Sequence, residues 1–175
     1  MKKLIFCLLV LGITKSVIGQ NNETLILLPK QGIIINNDTI LLGSLKETII
    51  KKFNINEKKI SNSITHYDYD DGSYSDIYSS RMKIEEGILL FFEGKFKEKM
   101  QLVKVKVSYP QRAKTVNGIE IGDKANKIFE FYPQKDASYN CDDVLYGYCY
   151  FDNGISFGVE TNTDDNYLIK QMVIF

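Results

Sequence analysis

Apolar and polar residues follow two different periods along this chain. Over residues 102–108 valine alternates with lysine and serine, the two-residue period of a strand with one buried face. Elsewhere apolar residues are spaced i, i+3, i+4 and i+7, as on one side of a helix. That helical stripe consists of Ala125, Ile128, Phe129 and Tyr132. One-sided helices and one-sided sheets must cover each other, so we predict the α+β fold class.

The helical stripe belongs to a sequence segment that occurs twice in similar form. "DTILLGSLKETIIKKF" at residues 38–53 is echoed without gaps by "NGIEIGDKANKIFEFY" at 117–132. Each copy predicts a short strand, a glycine, an N-cap residue and a helix. We predict Ser44 and Asp123 as the two N-caps, since their side chains can accept from the free amides of a first helical turn. Ser44 and Glu47 also have the spacing of a capping box.

The match resumes further along the chain. "GILLFFE" at 87–93 parallels "GISFGVE" at 154–160, and "LVKVKV" at 102–107 parallels "LIKQMV" at 168–173. We therefore predict two tandem repeats, each a short capped helix packed on an antiparallel β-sheet.

The predicted organisation has one boundary between the repeats. The first repeat covers residues 20–110, with extra N-terminal strands joined by a turn at Asn36–Asn37 and a longer insert over 54–86. The second repeat covers residues 111–175.

Residues 1–19 have the layout of a secretory signal peptide. Two lysines precede the apolar run Leu4–Ile13, and Val17 and Gly19 supply short side chains before a cleavage site. We therefore expect export to the periplasm or the extracellular space of a bacterium. No second apolar run approaches bilayer-spanning length, so we expect no integral membrane segment.

Charge argues against nucleic acid as a partner. The whole chain has 22 basic and 22 acidic residues, and three of the lysines lie within residues 1–19, which leaves the exported chain at −3. Nucleic-acid binding needs a concentrated basic surface, which this composition does not supply.

Two cysteines remain after export, Cys141 and Cys149. An even pair in an exported protein predicts a disulfide bond. Two unpaired buried thiols are the alternative. A metal site is disfavoured because the single histidine, His66, is distant in sequence.

The stretch "HYDYDDGSYSDIYSS" at 66–80 combines tyrosine with small polar residues, the composition of many recognition loops. Its candidate contact residues are Tyr67, Tyr69, Tyr74 and Tyr78. A plain solvated turn between two strands is the alternative. Calcium is disfavoured because Gly72 comes one position early for an EF-hand and no glutamate closes the loop.

A second tyrosine cluster lies in "VLYGYCYF" at 144–151. On a strand, one face would carry Tyr146, Tyr148 and Tyr150. If Gly147 and Cys149 face the helix, the tyrosines form an exposed row suited to a partner. The alternative is that another part of the protein covers this row.

The chain has few groups for catalysis. His66 has no nearby serine or cysteine nucleophile motif, and no glycine-rich loop is suited to phosphate. The adjacent carboxylates Asp142-Asp143 and Asp164-Asp165 suggest a small hydrolase as an alternative, although adjacency favours turns. We predict no catalytic residue, cofactor or metal.

The pattern of a strand ending in Leu-Gly or Ile-Gly, a cap, a short helix and antiparallel strands resembles a known superfamily. It is similar to the small α/β repeat of β-lactamase inhibitor proteins and of outer-membrane assembly lipoproteins. The resemblance covers Asp38–Phe53 with Gly87–Val107, and Asn117–Tyr132 with Gly154–Phe175. It implies a non-enzymatic protein that acts by protein–protein contact. The inhibitors' usual two disulfides and the lipoproteins' acylated cysteine are missing, so neither family's partner carries over.

These patterns together predict an exported, non-catalytic protein-binding module, of inhibitor or immunity type. The alternatives are a cell-envelope assembly or structural factor and a small carboxylate-dependent hydrolase. The partner is expected to be another protein, and its identity and the oligomeric state stay open.

Overall fold

The computed structural model describes residues 25–139, 146–161 and 166–175. The predicted signal peptide, Cys141 and the two adjacent-carboxylate pairs lie outside these ranges. Within them the protein is mostly β-sheet with few helices, an α+β-like arrangement with two sheets. In the described part, no helix is both long and apolar enough to cross a bilayer.

The elements follow one another in a simple order. The strands and the α-helix are β1 (Leu25–Leu28), β2 (Gly32–Ile35), β3 (Asp38–Leu41), α1 (Lys46–Phe53), β4 (Ile60–Asp68), β5 (Tyr74–Glu85), β6 (Ile88–Gly94), β7 (Gln101–Ser108), β8 (Ala113–Thr115), β9 (Gly147–Tyr150), β10 (Ile155–Thr161) and β11 (Tyr167–Ile174). Short 3-10 helices cover Glu57–Lys59, Lys97–Lys99, Ala125–Glu130, Gln134–Asp136 and Phe151–Asn153.

The small sheet contains the predicted N-terminal strands. Its order is β3-β2-β1-β8, with β8 parallel to β1 and the other pairs antiparallel. The predicted turn at Asn36–Asn37 joins β2 to β3, and both asparagines have positive φ, 50° and 66°. Two successive left-handed residues match the twist of a tight hairpin, which explains why asparagine serves there.

The large sheet has the order β4-β5-β6-β7-β11-β10-β9, and all its pairs are antiparallel. Strands β7 and β11 meet at its centre, with Val107 opposite Met172 and Val105 opposite Ile174. The sheet is therefore continuous across the predicted repeat boundary at residue 110.

One hydrophobic core joins the two sheets and the helices. Leu90 and Phe157 of the large sheet, Leu27 of the small sheet, Ile49 of α1 and Ile128 belong to the same buried cluster. The small sheet and the helical segments thus cover one face of the large sheet. Three residues of the helical stripe, Ala125, Ile128 and Tyr132, are buried and Phe129 is half-buried, although Ala125–Glu130 is a 3-10 helix.

The simple alternation predicted for residues 102–108 is interrupted by a β-bulge. Phe91 of β6 lies opposite Lys104, but the next residue, Phe92, lies opposite Leu102. Val103 therefore has no direct partner on β6, and Leu102 takes the buried position. The prediction that Val103 shares the buried face was wrong because one extra residue reverses the facing of a strand.

A second bulge lies in the pair β10–β11. Gly158 lies opposite Gln171, whereas Val159 lies opposite Ile169, so Lys170 is skipped. Ile169 is fully buried as a result, in the same way as Leu102.

The predicted N-caps were wrong in both helical segments. The N-cap of α1 is Leu45, one residue after Ser44, and no side chain caps the helix. The carbonyl of Ser44 instead accepts a hydrogen bond from the amide of Leu102 across 2.9 Å. Ser44 is therefore bonded to β7 and does not cap the helix.

Asp123 has a different role from the one predicted. Lys124 is the N-cap of the 3-10 helix, again without a side-chain cap. The Asp123 carboxylate accepts the amide of Glu120 and the ammonium of Lys127, each across 2.7 Å, which closes the loop before the helix. The pKa of the Lys127 ammonium is raised, chiefly by its hydrogen bond to Asp123.

Candidate functional site

The hairpin of β4 and β5 extends past the rest of the large sheet. The β4–β5 ladder runs from Ile60 opposite Met82 to Asp68 opposite Tyr74, but β6 ends at Gly94, opposite Tyr78. The outer half of the hairpin therefore has strand neighbours only within itself among the described residues.

The hairpin closes in an exposed turn over residues 69–73. The amide of Tyr69 donates to the carbonyl of Ser73 across 2.9 Å. The Asp71 carboxylate accepts the amide and the hydroxyl of Ser73, at 2.9 and 2.6 Å, and these hydrogen bonds lower its pKa. The acidic residues of this stretch thus shape the turn.

The structure places the four predicted tyrosines of the hairpin on two opposite faces. Tyr74 and Tyr78 lie on the side that continues the hydrophobic core, because Tyr78 packs against that core. Tyr67 lies on the other side, opposite Ser75, and the Tyr69 hydroxyl lies 3.1 Å from the hydroxyl of Ser75. The tyrosines therefore form two pairs and no single cluster.

On the core side, the hairpin and the segment after β6 enclose a cavity that we call the hairpin cleft. Its volume is about 440 Å³. It is lined by Tyr74, Ser75, Asp76, Tyr78, Lys95, Phe96, Lys97 and Glu98. Tyr74 is 74% exposed and Phe96 is 62% exposed. Large aromatic side chains thus stand open to solvent on either side of the cleft.

A second cavity of about 380 Å³ adjoins the cleft and shares Tyr78 and Lys97 with it. Ile64, which lies opposite Tyr78 on β4, is part of its wall and is 51% exposed. The apolar lining therefore continues from the cleft to the edge of the sheet.

The segment that carries Phe96 is held at its end by the core. Met100 is buried, its carbonyl accepts the amide of Lys46 across 3.0 Å, and the Phe96 carbonyl accepts the amide of Lys99 at the same distance. This anchoring leaves Phe96 on the outside of a tight turn, where it faces the hairpin.

Charges of both signs surround the cleft. The Nδ1 atom of His66 lies 2.6 Å from a carboxylate oxygen of Asp76, and the side chain of His66 is mostly exposed. Within the described ranges, no hydrogen bond joins the other ring nitrogen of His66 to a serine, threonine or cysteine. Nor does any group of three or more His, Cys, Asp and Glu side chains in those ranges suit a metal ion.

The exposed tyrosine row predicted for β9 does not form. Tyr150 is only 1% exposed, and its hydroxyl donates to the carbonyl of Tyr132 across 3.2 Å. Burial raises the pKa of Tyr150 to about 12. Tyr148 is half-buried with its ring edge-on to Phe129, the ring centres 5.0 Å apart, and Tyr146 is exposed just before the strand.

The side chains of β9 point the opposite way from the orientation that would expose the tyrosine row. Tyr148 and Tyr150 point to the core side, and Cys149 points to the other side, where it is buried with Val173. Cys149 is in a disulfide bond. Its predicted partner, Cys141, lies outside the described residues. Strand alternation correctly separated the tyrosines from Cys149, but it did not indicate which of these two faces meets the core.

Sequence reasoning missed most of the residues that line the two cavities, among them three from outside the tyrosine set. Ile64, Phe96 and Lys97 reach the two cavities only because the hairpin lies beside the segment after β6. One sequence signal was available for Phe96, which stands as the single apolar residue in "GKFKEK" at 94–99.

Comparison of the chain with protein-family models, with curated proteins and with solved structures gives no match. The geometry of the hairpin and of the hairpin cleft is therefore the basis for a functional proposal.

Proposed function

We propose that this chain is an exported, non-catalytic module that binds another protein, of inhibitor or immunity type, through the hairpin cleft. The observation that carries the proposal is the pair of exposed aromatic side chains that flank the cleft, Tyr74 on the hairpin that projects beyond the sheet and Phe96 on the segment after β6. Export rests on the signal-peptide layout of residues 1–19.

The chemistry of the cleft suits an apolar side chain of a partner. Exposed tyrosine and phenylalanine lose little conformational freedom on binding and bury a large apolar area, which is why aromatic residues dominate binding hot spots. A volume of about 440 Å³ accommodates a large aliphatic or aromatic side chain with room for its flanking backbone. Lys95, Lys97, Asp76 and Glu98 supply the polar rim that orients such a contact.

We also infer that the scaffold behind the cleft contains two tandem copies of one helix-and-sheet module. The copies are related by the interval from Gly87 to Gly154. The bulges of β6–β7 and β10–β11 occur at positions related by the same interval. At the centre of the large sheet Lys106 lies opposite Val173. Val173 is also the residue of the second copy that corresponds to Lys106 when the first copy is shifted by this interval. A two-fold relationship between the copies accounts for that pairing.

The contacts that attach each helical segment to its strand support the same inference. The amide of Gly43 donates to the carbonyl of Leu102 across 2.7 Å, and the amide of Gly122 donates to the carbonyl of Ile169 across 2.8 Å. Leu102 therefore corresponds to Ile169, one residue later than the sequence echo suggested. With this register the positions of β7 and β11 that face the shared core agree.

Capture experiments with matched variants test the binding proposal. Tagged protein is exposed to envelope extract in wild-type form, as Tyr74→Ala/Phe96→Ala, and as Tyr109→Ala, which removes a 70% exposed tyrosine away from the cleft. We expect the double variant to lose the partner at least tenfold and the control to retain it, with both variants as thermally stable as the wild type.

The capture outcome separates the functional classes. A single soluble partner retained by the control supports an inhibitor or immunity role, whereas co-purification with outer-membrane proteins supports an assembly or structural role. Equal capture by the double variant contradicts the cleft as the binding site. Hydrolysis of a substrate by the purified chain, with no partner captured, contradicts the whole proposal in favour of the hydrolase alternative.

A further inference from the structure

Among the residues that the structure describes, no strand lies beside the outer edge of β4. The strand contains nine residues, Ile60–Asp68, and it lies at one end of the large sheet. All nine pair with β5 in one continuous register without a bulge. The opposite edge of β4 has no strand partner among the described residues. Its unpaired amide and carbonyl groups form a template for another strand.

The other sheet edges are short or covered. β9 has four residues, and the amide and carbonyl of Cys149 are both bonded to Ser138 at 3.0 Å. β3 also has four residues, and the ammonium of Lys52 lies 2.8 Å from the Asp38 carboxylate and 3.5 Å from the Thr39 carbonyl. Short length and lysine side chains are common ways to block an edge.

β4 has none of these protections. Residues 60–67, "ISNSITHY", include no lysine, arginine, aspartate, glutamate or proline. Two of its large side chains are exposed on opposite faces, Ile64 at 51% and Tyr67 at 47%. A long edge whose only acidic residue, Asp68, lies at its end is expected to pair with another strand.

We propose that the edge of β4 pairs antiparallel with β4 of a second copy of this chain. In a closed two-fold dimer the same patch is used twice, and directly opposed residues point to the same face of the joined sheet. Complete overlap of the nine residues places Ile64 opposite its own copy and Ile60 opposite Asp68. Two exposed isoleucines then cover each other beside the 380 Å³ cavity.

The charges at the two ends of β4 favour a second copy in this orientation. Glu57, Lys58 and Lys59 precede the strand, with one net positive charge, whereas Asp68 is its last residue and Asp70 and Asp71 follow it. Antiparallel pairing brings the basic start of one strand to the acidic end of the other, and does so twice per dimer. Electrostatic complementarity of this kind fixes register and orientation.

Sedimentation of the purified protein over a range of concentrations tests the dimer. We expect a reversible dimer whose dissociation constant rises about tenfold or more in Ile64→Lys, because like charges then face each other across the strand pair. Leu41→Lys is the matched control, since Leu41 is 50% exposed on the edge strand β3. The control should dimerise like the wild type. Circular dichroism checks that both variants keep the native sheet content.

A charge exchange tests the antiparallel orientation. Asp70→Lys should weaken the dimer, and the double variant Lys58→Asp/Asp70→Lys should restore it, because the two positions meet between copies. A wild-type chain that is monomeric at every concentration overturns the proposal, and so does a dimer that Ile64→Lys leaves unchanged. Pairing of β4 with a strand of another protein in the absence of self-association also overturns it.

Discussion

Gly154 and Phe175 lie in contact where β10 begins and β11 ends. The amide of Phe175 donates to the carbonyl of Gly154 across 3.2 Å, and a Cβ atom on Gly154 would lie 2.5 Å from the carbonyl oxygen of Phe175. Gly87 and Ser108 repeat this arrangement between β6 and β7, with distances of 2.8 and 2.4 Å. Two glycines thus allow equivalent close approaches at the ends of β7 and β11, which point in opposite directions because the two strands are antiparallel.

The glycine pair gives a direct prediction for stability. Gly87→Ala and Gly154→Ala should each lower the free energy of unfolding by about 3 kcal/mol, since they add both a strained backbone and a steric overlap. Gly118→Ala is the control, because φ is also positive there, at 82°, but a Cβ atom meets nothing within 4 Å. It should cost only about 1 kcal/mol. Urea denaturation measures all three variants, and a similar small loss in each would contradict the close approach.

Tyr150 predicts a specific response to alkaline pH. An unfolded tyrosine ionises near pH 10, whereas burial raises the pKa of Tyr150 to about 12 in the folded chain. Between these values the unfolded state binds fewer protons than the folded state, so stability falls as pH rises, by up to about 1.4 kcal/mol per pH unit for this group. Tyr150→Phe should make the decline between pH 10 and 12 shallower.

The same variant provides its own control at pH 7. There Tyr150→Phe loses only the hydrogen bond to the carbonyl of Tyr132, with an expected cost of about 1 kcal/mol. Burial also raises the pKa of Tyr132 and of Tyr148, so some alkaline decline should persist in the variant. Identical slopes in the two proteins would show that Tyr150 is accessible to solvent.

Ser44 should contribute little to stability. Because Leu45 is the N-cap of α1 and no side chain caps it, we expect Ser44→Ala to change the free energy of unfolding by less than about 0.5 kcal/mol. Asn56 is the positive control, because its side chain accepts the amide of Lys58 across 2.9 Å at the start of a 3-10 helix. Urea midpoints for the two alanine variants make the comparison. A loss of 1 kcal/mol or more of unfolding free energy in Ser44→Ala would instead support Ser44 as the N-cap of α1.

The sequence indicated the strands and the apolar faces well because they depend on local periodicity. The turn at Asn36–Asn37 was predictable because asparagine tolerates positive φ. The burial of Ile128 was predictable because this residue belongs to the apolar stripe. The bulges were not predictable, because they depend on which residues of two strands pair, and that pairing skips Val103 and Lys170.

The candidate site was predictable only in part for a similar reason. Tyr74 and Tyr78 were candidates from composition, but their neighbour Phe96 joins them through tertiary packing alone. Tyr150 was misplaced because alternation defines two faces of a strand without telling which one meets the core. Its burial against Tyr132 depends on a 3-10 helix that is distant in sequence.

Site-specific photo-cross-linking tests the central claim, contact through the hairpin cleft, most directly. A photoreactive phenylalanine analogue replaces Phe96 in one protein and Tyr109 in another, and both are illuminated in the cells that export them. We predict a covalent product with another protein from position 96 and none from position 109. No product from position 96, or equal products from both positions, would contradict binding at the cleft.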